Sequence, residues 1–572
     1  MESPSEDRET LLASLRRRTS ALLTPWSRQR SLLAGGLVLS TLFLERLAFY
    51  SVLSNLYIFL TNEGRTAWSS DEALSATLLL TGLAYFSALP AGWLADAVVG
   101  RYWTITGGLC LYVLAYGSLT ALAFDGLASV GCSKDLDGPW CSFYIYSTIT
   151  AIGLAVGTIK ANVPAFGAEQ MRQGGSLRVF FNWYYWCING GALLGVGGMA
   201  YWEQASTRGF PPAFAVATGI LVLALLLMLF GKRYFVVHRP SETSVLGSLL
   251  HMVKEGLTGR IAAGRIAIGC IQSSPILNSP ADEEVYESLG SPTSSVETVP
   301  EWLDFAKIRY GGSHSDEAVD EAKKLGPVLL LLILMVPYWL IFLQSNSGFQ
   351  AQAVHLKVDL GTFLFPTAWL GLVDQLFVLT LIPLVNGALI PLLERQGLRI
   401  SLATRIAIGM VFASLAMFAA GGLETASIST WKNGEYVTQT IGHATYNAST
   451  VSILWQAPQY CLLGTSEVFA TIGGLEFAHS LAPRALQGLV MGLLSAFEGM
   501  ASFLGIGLLA VLTPIWIQPD ATHFEGHYDF YFFLLAAVQV TTIVTCSLAV
   551  CIRRRARRRT RRRQLPDEPM LS

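Results

Sequence analysis

The chain is predicted to be an all-α membrane protein of twelve spanning helices set in two six-helix halves. Three observations predict this. Of its 572 residues, 52% are hydrophobic and 14% charged, against about 25% charged in soluble domains. The apolar residues fall into blocks long enough to cross about 30 Å of hydrocarbon. The charges are segregated: a formal net charge of −1 conceals Arg16, Arg17, Arg18, Arg28 and Arg30 ahead of the first block and nine arginines from Arg553 to Arg563 after the last. Basic flanks stay in the cytosol, which places both termini there and requires an even number of spans. The first apolar run is too long for a cleavable signal peptide.

In order, the apolar blocks centre on residues 32–60, 73–95, 102–124, 143–168, 179–203 and 212–231, then 328–345, 361–386, 402–422, 452–478, 486–513 and 527–551. The expected organisation is a cytosolic tail (1–30), a first half (31–231), a linker (232–327), a second half (328–551) and a basic cytosolic tail (552–572). The linker is rich in Ser, Pro and acidic residues. It is expected to be cytosolic and partly disordered, with two short amphipathic helices.

The first block contains Leu42-Phe-Leu-Glu45-Arg46-Leu-Ala-Phe49-Tyr50. A carboxylate and a guanidinium at membrane depth are costly unless they line a wet cavity, so both are candidate functional residues. Gly92-Trp-Leu-Ala-Asp96-Ala-Val-Val-Gly100-Arg101 joins the second and third blocks; its glycines permit a tight turn, and Asp96 and Arg101 can pair as a gate. Cys132 and Cys141 share a polar non-cytosolic loop, where a local disulfide is expected. Lys160 lies in the fourth block before Pro164, Asn189 in the fifth beside Gly190 and Gly191, Asp374 in the eighth and Glu467 in the tenth. Each could be a buried polar group satisfied by a neighbouring helix. For Asn189 and Asp374 that reading stands level with function; Lys160 and Glu467, from opposite halves, suggest a gate that pairs across them. Asn447-Ala-Ser449 is a glycosylation sequon in a loop placed outside the cytosol. Asp7-Arg-Glu-Thr-Leu11-Leu12 has the acidic dileucine form of a sorting signal, a pattern that chance also produces. The terminal arginines could bind anionic lipid, or simply fix topology. No Cys/His spacing resembles a zinc site, and neither metal nor cofactor is expected.

Two six-helix halves joined by a cytosolic linker resemble the major facilitator superfamily, and Gly92–Arg101 resembles its loop between helices two and three. Phe181-Asn-Trp-Tyr-Tyr-Trp-Cys-Ile-Asn189-Gly-Gly-Ala-Leu193 and Gly157-Thr-Ile-Lys160-Ala-Asn-Val-Pro-Ala-Phe-Gly-Ala-Glu-Gln170 resemble the fifth- and fourth-helix signatures of proton-coupled oligopeptide transporters. Gly464-Thr-Ser-Glu467, Gly474-Leu-Glu476-Phe477 and Ala482-Pro483 through Met491-Gly492 look like that family's tenth and eleventh helices. Trp455-Gln-Ala-Pro-Gln-Tyr460 and Val336-Pro-Tyr-Trp339 are similar to its endolysosomal peptide/histidine branch. The resemblance covers nearly all twelve blocks. It implies that Arg46, Lys160 and Asn189 hold the peptide termini, the cations taking the carboxylate. Tyr50 and Tyr85 would line the pocket, or pack with satisfied hydroxyls. Glu467 would pair with Lys160 and take the proton or the ammonium end.

The chain also departs from the family. The first-helix pattern E-x-x-E-R-F-x-Y-Y has Leu42 at its first acid and Phe49 at a tyrosine. Position 42 is i,i−4 from Arg46, so Leu42 is expected to leave the guanidinium without its in-helix counterion, with Glu45 pointing elsewhere. Glu498, in the eleventh block, stands where the resembling transporters carry a small hydroxyl residue. It could carry the coupling proton alongside Glu45 and Glu467, or pair structurally with another helix.

Three function classes follow. The first is a proton-driven symporter of di- and tripeptides, with free histidine as a second candidate, working from an acidic endosomal or lysosomal lumen to the cytosol. The second is an uncoupled or altered-substrate carrier, motivated by Leu42. The third is an endolysosomal scaffold that recruits signalling proteins such as innate immune adaptors. No nucleic-acid partner is expected. An ATP-driven pump is disfavoured because no G-x-x-x-x-G-K-[ST] loop occurs in the cytosolic segments.

Overall fold

The structure, a computed structural model, describes residues 25–61, 68–124, 139–171, 177–205, 209–240, 245–272, 301–361, 363–398, 400–441, 444–481, 487–517 and 526–564. Asp7, Leu11, Leu12 and Cys132 lie outside the described residues, as do the side chains of the terminal arginines.

The first six long helices are α1 (Pro25–Leu53), α2 (Ser70–Phe86), α3 (Arg101–Ala123), α4 (Pro139–Met171), α5 (Leu177–Leu194) and α6 (Phe210–Gly231). Two linker helices follow, the long α7 (Val245–Gln272) and the short α8 (Asp316–Lys323). The second six are α9 (Leu325–Phe342), α10 (Leu370–Leu384), α11 (Leu402–Lys432), α12 (Ala457–Leu481), α13 (Gln487–Leu512) and α14 (Tyr528–Gln564). Ten helices among the described residues are long and apolar enough to cross a membrane; α5 and α12, which carry Asn189 and Glu467, complete twelve. Each half packs on itself, and α2 against α13 joins the two. Small residues make this seam close: a Cβ on Gly499 would lie 2.5 Å from the Phe86 nitrogen, and Ser502 donates to the Leu78 carbonyl at 2.6 Å.

The helices are broken where the sequence permits. Pro164 sits inside α4, and its ring displaces the carbonyl four residues earlier, that of Lys160. Single π turns follow the short helix Ala88–Leu94 that continues α2 (Ala95–Val99), α5 (Gly195–Met199) and α10 (Val385–Leu389); such turns are frequent at functional sites.

Two segments differ from expectation. The polar stretch between α11 and α12 is a hairpin, β1 (Tyr436–Ile441) antiparallel to β2 (Ala444–Ser449). Exposure alternates along β1, so one face is solvated and the other half-buried. The linker contains a 28-residue helix, α7, and a small apolar core of Met252, Leu303, Ala306, Val319 and Ala322. Five buried side chains drawn from segments more than forty residues apart produce no local periodicity, so the sequence alone showed only low apolar content.

Candidate functional site

Glu45 and Arg46 are buried in mid-α1, and they satisfy each other. Arg46 donates from Nε to Glu45 Oε2 at 2.6 Å and from its terminal nitrogen to Oε1 at 2.7 Å, a two-bond fork. This corrects the expectation that Leu42 strips Arg46 of its in-helix counterion and that Glu45 points away. Consecutive Cβ atoms on a helix diverge, but both side chains are long, and in a dry interior neither charge has a cheaper partner. Leu42 is simply core, 3% exposed. Phe49, the other departure, puts its ring 4.9 Å from the guanidinium carbon, adding a cation–π contact.

Glycines in α5 let it press on this segment. A Cβ on Gly191 would fall 2.8 Å from the Phe43 carbonyl oxygen and 2.9 Å from Arg46 Cβ. The neighbouring Asn189 donates one of its two amide hydrogens to Tyr185 O in its own helix at 2.9 Å. Lys160, one turn before Pro164 in α4, stands over the Tyr85 ring with Nζ 3.0 Å from the centroid.

The second half supplies carboxylates. Lys160 makes no ion pair within 4 Å with either acid among the described residues, so the expected Lys160–Glu467 pair is not formed in this conformation. The opposite charge bearing most on Lys160 is Glu498 of α13. The seam is consistent with this: Gly499 brings α13 against α2, and the adjacent Glu498 is the acid whose charge acts on Lys160. Tyr50 lies in the combined field of Arg46, Glu467, Glu45 and Glu498. Tyr85 feels the same acids from the second half. Asp374 is buried between α10 and α12, where a Cβ on Gly464 would come 2.8 Å from its Oδ1; that oxygen has no hydrogen-bond partner, and Asp374's charged neighbour is Glu467. Tyr338, not anticipated as a site residue, lies in the field of Glu467 and bonds Thr471 at 2.8 Å.

At the linker end, Arg101 bridges Asp96 at 2.9 Å and also Glu169 of α4, so the loop pair has a third member. Gly100 before it has φ of 91°, a backbone state that a side chain disfavours. At the hairpin end the halves are latched. Asn55 donates to Glu203 Oε2 at 2.7 Å, Gln204 donates to Asn55 Oδ1 at 2.7 Å and to Thr367 Oγ1 at 3.2 Å, and the Thr367 N–H returns to Gln204 at 3.2 Å. Trp369 Nε1 donates to Gly197 O at 2.9 Å, and Thr61 meets the hairpin's Tyr446 hydroxyl at 2.7 Å. Sequence reasoning missed this latch; Glu203, a fully buried acid at the end of an apolar block, was the signal available. Asn447 is exposed on the hairpin, and Cys141 is disulfide-bonded.

A family profile described as POT family matches residues 102–522. Solute carrier family 15 member 3 of Mus musculus is 32% identical over 551 residues, spanning 89% of this chain and 90% of that protein. Protein NRT1/ PTR FAMILY 8.1 of Arabidopsis thaliana is 28% identical over 537 residues, 86% and 89% of the two chains. Among solved structures, that of the POT family transporter PepTSo superposes with a TM-score of 0.67 at 21% identity, over 90% of this chain and 97% of that one. A POT family transporter in complex with 5-aminolevulinic acid gives 0.61 at 18%, over 90% and 95%.

Proposed function

The chain belongs to the POT family, membrane transporters rather than enzymes, and from that premise we propose that this multi-pass protein is a proton-coupled symporter. Its substrates are di- and tripeptides, with free histidine a further one, moved from an acidic lumen to the cytosol by alternating access. One observation carries the reading. Two cations and four carboxylates form one chain of neighbours: Arg46 lies against Glu45, Lys160 in the field of Glu498, Arg46 and Glu45, Glu467 in that of Glu498, and Asp374 in that of Glu467. Fully ionised, that cluster has two negative charges in excess in a poorly hydrated place, which is costly unless positive charge arrives. Protons and a peptide ammonium both supply it, and Arg46 with Lys160 can take the peptide carboxylate.

In reconstituted vesicles acidified outside, labelled dipeptide is expected to accumulate above its external concentration, and an uncoupler to abolish accumulation. A second reading, an uncoupled carrier, is favoured by Leu42, core where the family pattern has an acid; it predicts equilibration without accumulation and indifference to the uncoupler.

The hairpin latch with Glu203, Gln204 and Thr367 closes the lumenal side, and Asp96, Arg101 and Glu169 act at the cytosolic side. The dileucine at Asp7, Leu11 and Leu12 directs the protein to endosomes and lysosomes, with both termini cytosolic and the Cys132–Cys141 bond lumenal. Asn447 then carries glycan: glycosidase is expected to shift the mobility of the wild type but not of Asn447→Gln. An unshifted wild type contradicts the sidedness. Leu11→Ala with Leu12→Ala is expected to move the protein to the cell surface, and unchanged lysosomal residence refutes the signal.

A further inference from the structure

We infer that the linker holds a binding site for a divalent transition cation, zinc being the expected occupant, formed by His251 and Glu255 of α7 with His314 of the loop that leads into α8. It lies outside the membrane-spanning helices and does not depend on the transport reading.

The donors converge as a metal site requires. His251 Nδ1 is 3.1 Å from His314 Nε2, His251 Nδ1 is 3.6 Å from Glu255 Oε1, and His314 Nε2 is 3.8 Å from Glu255 Oε2. Bonds of about 2.0–2.2 Å to a tetrahedral ion set its donors roughly 3.3–3.6 Å apart. The imidazole nitrogens are near that spacing, and the Glu255 carboxylate turns one oxygen to each. One ligand atom from each of the three residues lies within 4.8 Å of the others. His251 and Glu255 are four residues apart and lie on one face of α7. Two imidazoles and one carboxylate suit zinc far better than magnesium or calcium, which prefer all-oxygen sets. The His251 side chain is 55% exposed, which leaves the fourth position open to water.

The third donor is fixed by the backbone. The His314 N–H bonds Ala306 O at 3.1 Å, and its carbonyl accepts from Ile308 N at 3.0 Å. Gly312 packs so tightly that a Cβ there would lie 2.2 Å from Ala306. The Ser313 N–H donates to Glu255 Oε2 at 3.0 Å, orienting the carboxylate as outer partners of metal ligands do. Beneath the loop, Lys307 bridges Asp304 at 2.8 Å and Asp320 at 2.6 Å, and Lys323 bridges Asp304 at 2.8 Å. Preorganisation of this kind lowers the cost of binding. The sequence expectation of no metal rested on local spacing, which a site built across residues 251 to 314 evades.

A bound zinc would staple α7 to the strap entering α8 and α9, stiffening the connection between the halves. The test uses the purified full-length protein, stripped by a chelator and titrated with zinc chloride against a chromogenic competitor. About one zinc per chain is expected at micromolar or tighter affinity, and His251→Gln and His314→Gln are each expected to weaken it by about tenfold or more. X-ray absorption of the zinc-loaded wild type is expected to show imidazole ligation. Thermal unfolding without metal reports whether each variant folds, and the wild-type spectrum decides the question even if a variant does not. A wild type that takes no zinc below millimolar concentrations, a spectrum without imidazole, or folded variants that bind like the wild type overturns the proposal.

Discussion

On the wall built from α1, α2 and α4, each cation already has a companion within its own half. Arg46 is forked onto Glu45, and Lys160 rests on the Tyr85 ring. On the facing wall, Glu467 of α12 and Glu498 of α13 have no ion-pair partner within 4 Å among the described residues, and Asp374 keeps an orphaned oxygen. Ionised, the first wall holds Arg46 paired to Glu45 with Lys160 in excess, whereas the second holds carboxylates alone. The first can hold its charge through the cycle, whereas the second must gain and lose positive charge as it turns. This division assigns substrate anchoring to the first wall and proton traffic to the second. It also separates two kinds of damage: breaking the first wall should harm fold and transport together, while neutralising the second should harm coupling alone.

The largest effect that could break this contrast is expected at the fork. Removing one partner of a buried ion pair costs about 3–5 kcal/mol, because the other charge stays buried alone. Arg46→Ala is therefore expected to lose uptake entirely and to lower the thermal unfolding midpoint in detergent, and Glu45→Gln to follow it with a smaller loss. Arg46→Ala that folds and transports like the wild type would erase the distinction between the walls.

A smaller effect in the linker serves as a control, because there a carboxylate is compensated outside the membrane. Burial alone would raise Asp304, but hydrogen bonds from Lys307 and Lys323 outweigh it and hold its carboxyl down at about 2. The folded value lies below the unfolded one, so this stabilisation is complete above about pH 4 and is lost as pH falls through about 2. With solvent screening it is on the order of 1 kcal/mol. Hydrogen exchange of residues 301–323 in the full chain, corrected for intrinsic rates, is expected to stay flat from neutral pH to about 5 and to rise below about 4. Protection lost already near pH 6 would contradict the pairing.

How much of this was legible depends on range. The spans were readable because bilayer thickness imposes a length on each apolar block, and Arg46, Lys160 and Glu467 stood out because charge inside such a block is costly. Their partners were not readable. The rule that adjacent helical residues do not face one another describes Cβ directions, and it missed a fork made by two long side chains. The pairing of Lys160 with Glu467 rests on charge, on their coming from opposite halves and on the family resemblance, none of which registers that the Gly499 seam carries Glu498 in beside them. The Gln204–Thr367 latch joins residues 163 apart, and the His251–His314 contact joins residues 63 apart. Neither has a local pattern to betray it.

The assignment of proton traffic to the acidic wall is tested most directly at Glu498, by measuring counterflow exchange and proton-driven accumulation of the same labelled dipeptide in the same vesicles. Glu498→Gln removes a titratable group that has no ion-pair contact within 4 Å among the described residues. That acid is nonetheless the strongest opposite charge on Lys160, so the thermal unfolding midpoint is read alongside to separate lost stability from lost coupling. Exchange is predicted to continue near the wild-type rate while accumulation against a gradient disappears. Accumulation by Glu498→Gln equal to that of the wild type would contradict the account and leave Glu498 a structural residue.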